Sequence, residues 1–228
     1  MLGSMGRDDT SRARRYWDER ATENALWYVD TSLDYAAPDV ERFLADGEAV
    51  VAYALDQHYD RLSGHGRALE IGCGAGRICR ALATRFDEVI GIDVSPRMLE
   101  HARRLVPADE VTFLVGDGSS LAPVADDSVD VVLSYTVFQH IADPEVITGY
   151  IHEAARVLRP GGLLVAQWNG QETSGRWALR RWVRVLRARL GLAPPAARSS
   201  VRGSSDFPAQ TSRWNSGRVQ RIRPRPVH

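Results

Sequence analysis

Lysine is absent from this 228-residue chain: all 29 basic residues are arginine, and 29 acidic residues cancel them. A missing lysine with a net charge of zero points to codon bias in a GC-rich genome more than to a polyanion-binding role. Cysteine is nearly absent too. Cys73 and Cys79 are too few and too close for a disulfide framework, so both are expected reduced, in a cytoplasmic protein. No apolar run nears the length of a membrane span. The start carries no apolar core of a secretory signal, and Met1–Met5 reads as an addition ahead of a native start at Met5. No Asp/Glu/His cluster has the spacing of a metal site, so no metal is expected.

The zero net charge hides two halves. Residues 1–170 carry 16 Arg against 27 acidic residues, a net of −11, whereas residues 171–228 carry 13 Arg against Glu172 and Asp206, a net of +11. Apolar and amphipathic segments alternate from residue 67 to residue 168 in the strand–helix pattern of a doubly wound, mostly parallel α/β sheet. Strands are expected near 67–72, 88–93, 110–115, 129–135 and 162–168, with helices near 76–86, 95–105 and 143–158. Ser95-Pro96 is a strong helix start, a capping serine before a proline at the first helical position. Ahead of the sheet, residues 11–23 read as a helix, residues 25–37 as irregular, and residues 38–62 as a second helix.

The most informative stretch is Leu69-Glu70-Ile71-Gly72-Cys73-Gly74-Ala75-Gly76-Arg77. A strand enters a turn with three alternating glycines and a helix leaves it, which lets the backbone lie close to a ligand where any Cβ would collide. Asp93 ends the next apolar run and is placed to accept both hydroxyls of a ribose. The spacing differs from the G-x-G-x-x-G of dinucleotide sites. Glu70, Asp93, Asp117 and Ser134 all fall at the carboxyl ends of expected strands, where such sheets bind ligands.

From Tyr16 to Trp168 the chain resembles the class I S-adenosylmethionine (SAM)-dependent methyltransferases. Their first motif, an acidic residue followed by G-x-G-x-G, is matched by Glu70, Gly72, Gly74 and Gly76. Gly91-Ile-Asp93-Val-Ser95 resembles the second, Val115-Gly116-Asp117-Gly118 the third, Asp130–Tyr135 the fourth strand and Arg156–Val165 the approach to the fifth. The resemblance implies SAM as cofactor, with Asp93 on the ribose, Val94 beside the adenine and Asp117 with Gly118 at the adenine amino group. Glu70 is then near the methionine end or holds the loop amides, Cys73 contributes through its backbone, and Ser134 lines the site. It also makes the N-terminal helix a lid, so that Tyr16 and Trp17 are candidate contacts. Tyr16 is the preferred one, and Met98 shades the adenine or packs the core.

The acceptor is expected along Ser134-Tyr-Thr-Val-Phe-Gln-His140, with His140 as candidate general base and Tyr135 as a pocket or catalytic residue. The fourth strand lacks the Asn/Asp-Pro-Pro-aromatic and Pro-Cys sequences of base-modifying enzymes, leaving O-, N- or C-methylation of a small molecule, such as a specialised metabolite. Two other readings are a SAM-binding protein with impaired catalysis and a nucleic-acid methyltransferase using the arginine tail. The second is disfavoured because the tail offers only Phe207 and Trp214 for stacking on bases.

The family's sixth and seventh strands are not recognisable. Four regions are expected: a helical lid and acceptor wall (1–62), the SAM-binding core (63–170), a basic amphipathic helix (171–190) and a disordered Arg/Pro/Ser-rich tail (191–228). The basic helix is read as covering the chain's own acidic half, and residues 218–226 offer at most one short edge strand. Such an end fits a shortened variant or a C-terminus changed by a shift of reading frame. A homodimer would be one remedy for an edge exposed after the fifth strand.

Overall fold

The computed structural model describes residues 5–62, 64–107, 109–168 and 218–222. Five strands form where runs rich in Val, Ile and Leu predict them: β1 (Arg67–Ile71), β2 (Glu88–Asp93), β3 (Val111–Val115), β4 (Val129–Ser134) and β5 (Leu158–Trp168). A further short strand, β6 (Arg218–Ile222), completes a sheet of order β3-β2-β1-β4-β5-β6. Pairing is parallel from β3 through β5, with Glu70 opposite Gly91 on one side and Leu133 on the other. The strand order reverses between β1 and β4, and the carboxyl ends there form the crevice where such sheets take ligands.

The helices are α1 (Met5–Val29), α2 (Val40–Leu55), α3 (Arg77–Ala83), α4 (Pro96–Leu105) and α5 (Pro144–Val157). β4 is buried at every position, so its apolar run needs no alternation. One core packs α2, α3 and α4 against one face of the sheet through Val51, Leu55, Cys79, Leu82, Leu99 and Val131; the other packs α5 against the opposite face through Leu69, Val132, Ala154 and Leu164. Ser95 caps α4 as expected, its hydroxyl accepting from the Met98 N–H at 3.1 Å. Asp143 caps α5 in the same way through the Glu145 N–H, at 2.8 Å.

Several boundaries differ from expectation. α1 runs on to Val29 through a break at Asn24, where an irregular segment was expected from residue 25. The second helix ends at Leu55, and Asp56–Arg61 tightens into a 3-10 turn. β5 starts at once after α5, because the Pro160-Gly161-Gly162 segment is accommodated as a register shift: Val129 faces Leu158, but Val131 already faces Leu163. Gly161 takes a positive φ of 85° there, which only glycine adopts cheaply. β6 lies beside β5, so the sheet does not end at the fifth strand. The expected basic helix at 171–190 and the tail from 191 to 217 lie outside the described residues.

Candidate active site

The glycine turn between β1 and α3 is built by three left-handed residues: Gly72 at φ 71°, Gly74 at 51° and Gly76 at 86°. Each also faces a close neighbour. A Cβ on Gly72 would run into the side chain of Val137, and one on Gly74 would lie 2.9 Å from Cγ2 of Val29. A Cβ on Gly76 would lie 3.1 Å from Ala102 of α4 and from Val106 just past its end, so the third glycine serves packing of helix on sheet. Gly72→Ala combines a left-handed alanine with displacement of Val137. It is expected to cost about 2 kcal/mol or more of unfolding free energy, measured by denaturant titration.

Asp93, at the tip of β2, turns into this bend. Its Oδ2 accepts the Gly74 N–H at 2.8 Å and its Oδ1 the Ser95 N–H at 2.8 Å. The carboxylate therefore ties the glycine turn to the start of α4 while keeping unused lone pairs. Burial pushes its pKa up to about 6, against the two amides that favour its charged form. Glu70 is buried still deeper, at 2% exposure, and accepts a hydrogen bond from the Cys79 thiol at 2.9 Å. Burial raises its pKa to about 8, so it is mostly protonated at neutral pH. Cys73 and Cys79 are both free and buried, and burial lifts the Cys73 thiol to about 11, which makes it a poor nucleophile.

Ser134, fully buried at the end of β4, has an Oγ with no hydrogen-bond partner among the described residues. Val94 and Gly118 come together, a Cβ on Gly118 lying 3.4 Å from Val94 Cγ2, with Thr10 of α1 at 3.2 Å. Asp117, beside Gly118, is held by its own turn. Its carboxylate accepts the N–H groups of Ser119 and Ser120, both at 2.7 Å, and both their hydroxyls. Burial opposes its charge, yet these bonds hold its pKa below the usual range. Asp-Gly-Ser-Ser is a turn signal in its own right, and the geometry follows it.

α1 lies along α4. Tyr16 is 51% exposed, whereas Trp17 packs with Ala21, Ala25 and the fully buried Met98. Trp17 also meets the His140 ring, in the loop after β4, edge-on with centroids 5.3 Å apart. Met98 thus sits in the α1–α4 contact. His140 is exposed at the residue level, but partial burial of its imidazole lowers its pKa. Tyr135 is half-buried, its hydroxyl pKa raised by burial, and Thr136 beside it holds a left-handed φ of 58°. A β-branched residue in that region is strained, a feature that clusters at functional sites. The Thr136 N–H is held by the Gln167 side chain at 3.1 Å.

Sequence reasoning missed several partners. Asp18 of α1 accepts from the Ser95 hydroxyl at 2.6 Å and from the Arg97 N–H at 3.3 Å. Asp30 pairs with Arg77 at 2.5 Å. Tyr150 of α5 stacks on Phe138, centroids 6.0 Å apart, and its hydroxyl pKa is raised first by burial and then by Asp117 and Asp93. None carries a local signal, because the contacts of Asp18 and Asp30 span dozens of residues and that of Tyr150 with Phe138 spans twelve.

Residues 69–166 match the family model described as a methyltransferase domain. Over 90% of its length the chain is 29% identical to 2-methyl-6-phytyl-1,4-hydroquinone methyltransferase of Synechocystis, covering 65% of that protein. Over 51% of its length it is 33% identical to demethylmenaquinone methyltransferase of Tropheryma whipplei, covering 50% of that protein. The chain thus spans half to two-thirds of the length of these two relatives. Among solved structures, Haemonchus contortus phosphoethanolamine N-methyltransferase 1 shares the fold, with a TM-score of 0.56 at 21% identity over 75% of this chain and 34% of that one. Together with the glycine turn, the carboxylate at the tip of β2 and the parallel sheet order, these likenesses identify residues 69–166 as a methyltransferase domain, similar to those of the class I S-adenosylmethionine-dependent methyltransferases.

Proposed function

We propose that this protein binds SAM in the crevice at the ends of β1, β2 and β4 and transfers its methyl group to a small-molecule acceptor. The observation that carries the reading is the buried Asp93 carboxylate, aimed into a left-handed glycine turn at the switch point of the sheet. In this reading Asp93 takes the ribose hydroxyls, Val94 and Gly118 flank the adenine, and the backbone of Gly72, Cys73 and Gly74 receives the amino-acid end. The unpartnered Ser134 Oγ and the buried acid Glu70 fit a cofactor with a cationic amino-acid end. SAM supplies a methyl group already activated by its sulfonium. The chain's own task is to align the acceptor, exclude water and remove a proton.

The proton-accepting group is His140, whose lowered pKa keeps it neutral and able to take a proton near pH 7. Trp17, packed on it edge-on, and Tyr135 wall the acceptor side. Hydroquinones, named in one relative, are the first acceptor class to test, since loss of a phenolic proton makes the ring more nucleophilic. Among the described residues no helix is long and apolar enough to cross a membrane. Mass spectrometry of the purified protein for bound SAM or S-adenosylhomocysteine, followed by transfer of labelled methyl from SAM to a hydroquinone panel, tests the reading. Binding without transfer to hydroquinones, phenols or amines supports a binding protein instead, and absence of SAM binding sinks the proposal.

A further inference from the structure

α1 is broken at one point and fastened on both sides of it. At Asn24 the backbone leaves the helical region, with φ −165° and ψ 85°. Its side-chain oxygen accepts the Trp27 N–H at 3.1 Å and its amide donates to the Tyr35 carbonyl at 2.7 Å, so a fresh, capped turn starts there. Before the break, Asp18 holds α1 to the start of α4. Beyond it, Asp30 is bonded to Arg77, with side-chain exposures of only 13% and 8%. Val29, the residue before Asp30, is the one seated on Gly74.

Arg77 is a fixed anchor. Its guanidinium lies over the Phe43 ring, 5.6 Å from the centroid, and its carbonyl lies against Gly47 of α2. Burial works against the charge of Asp30, but Arg77 and the Ser32 groups outweigh it and lower its pKa. Asp46 stands behind the pair; burial, then its hydrogen bond with Asp30, raises its pKa. Nε of Arg77 has no partner among the described residues.

We propose that the Asp30–Arg77 ion pair is a positioning latch that holds the Val29 end of α1 down on the glycine turn and, when released, lets that end swing about Asn24 to admit and discharge the cofactor. This rests on the reading of the glycine turn as the SAM site. A buried ion pair is poor glue, since a well-packed apolar pair often stabilises as well. What it supplies is a contact that is either fully made or costly to leave half made, and two discrete arrangements are what a latch needs. The Asp18 end stays in place because it also caps α4, so motion concentrates between Asn24 and Asp30.

The test uses the full chain, with SAM association and release followed by stopped-flow tryptophan fluorescence, since Trp17 and Trp27 flank the break. In Asp30→Asn both association and release accelerate, release more, and the dissociation constant rises about tenfold. Arg77→Lys, which keeps the charge, falls between this variant and wild type. Wild-type rates in Asp30→Asn, or a lower melting temperature with unchanged rates, overturn the latch. If Asp30→Asn does not fold by circular dichroism, Val29→Ala, which leaves the ion pair intact, is read in its place; faster release supports the latch and unchanged release overturns it. A wild-type chain that does not bind SAM overturns the functional reading and the latch with it, whereas normal wild-type binding with unaltered Asp30→Asn kinetics overturns the latch alone.

Discussion

Asp93→Ala is expected to abolish the SAM binding, in the micromolar range, that calorimetry should show for the wild type. Two losses combine. The carboxylate is the acceptor proposed for the ribose, and it also ties the Gly74 N–H on one side of the crevice to the Ser95 N–H on the other. Without it both buried amides lose their partner, at about 1–3 kcal/mol each, and the glycine turn is free to shift away from α4. Even one such loss plus the ribose contact corresponds to about a hundredfold in affinity. Asp93→Asn separates the roles, since its amide oxygen can still accept one N–H while its NH2 opposes the other. It should retain more folding stability than Asp93→Ala and still bind SAM much more weakly than wild type. Wild-type affinity in Asp93→Ala would remove the site from this crevice.

The sheet was legible because its signals are local. The β1 run, the glycine turn and the Ser95-Pro96 start each need only neighbouring residues to be read, and the structure places all three as expected. α1 was legible only in part. Trp17, Ala21, Ala25 and Val29 recur every four residues, a stripe that turns Trp17 inward and Tyr16 out, but two of its members are alanines and carry little hydrophobic signal. The break at Asn24 is set by the Tyr35 carbonyl and the pull of Asp30 on Arg77, neither of which local propensity can show. The Asp117 turn was legible for the same reason as the sheet, because its Asp-Gly-Ser-Ser chemistry is local, whereas its place at the adenine is implied by the family resemblance alone.

Glu70→Gln is expected to flatten the alkaline side of the stability profile of the ligand-free protein. The folded pKa of Glu70 stands at about 8, above its ordinary carboxylate value of 4.5, because burial penalises the charged form. Its favourable contribution is thus full below pH 4.5 and is lost as pH rises towards 8, where the folded state must finally ionise a buried acid. Glutamine mimics the protonated acid and can still accept the Cys79 thiol hydrogen bond. Wild type and variant should therefore have similar unfolding free energies near pH 4, and the variant should gain by several kcal/mol near pH 9. Asp93, raised to about 6, loses stability with rising pH in the same direction, but it does so in both proteins and cancels from the difference. The same acid makes SAM binding a proton-linked event. A cation placed near Glu70 favours its ionised form, so wild type should release protons on binding SAM near pH 7, seen as a buffer-dependent calorimetric enthalpy. S-adenosylhomocysteine carries the same α-ammonium at its amino-acid end and should release a similar number, and Glu70→Gln should erase the release for both ligands. Absence of proton release for both ligands in the wild type would place the amino-acid end away from Glu70.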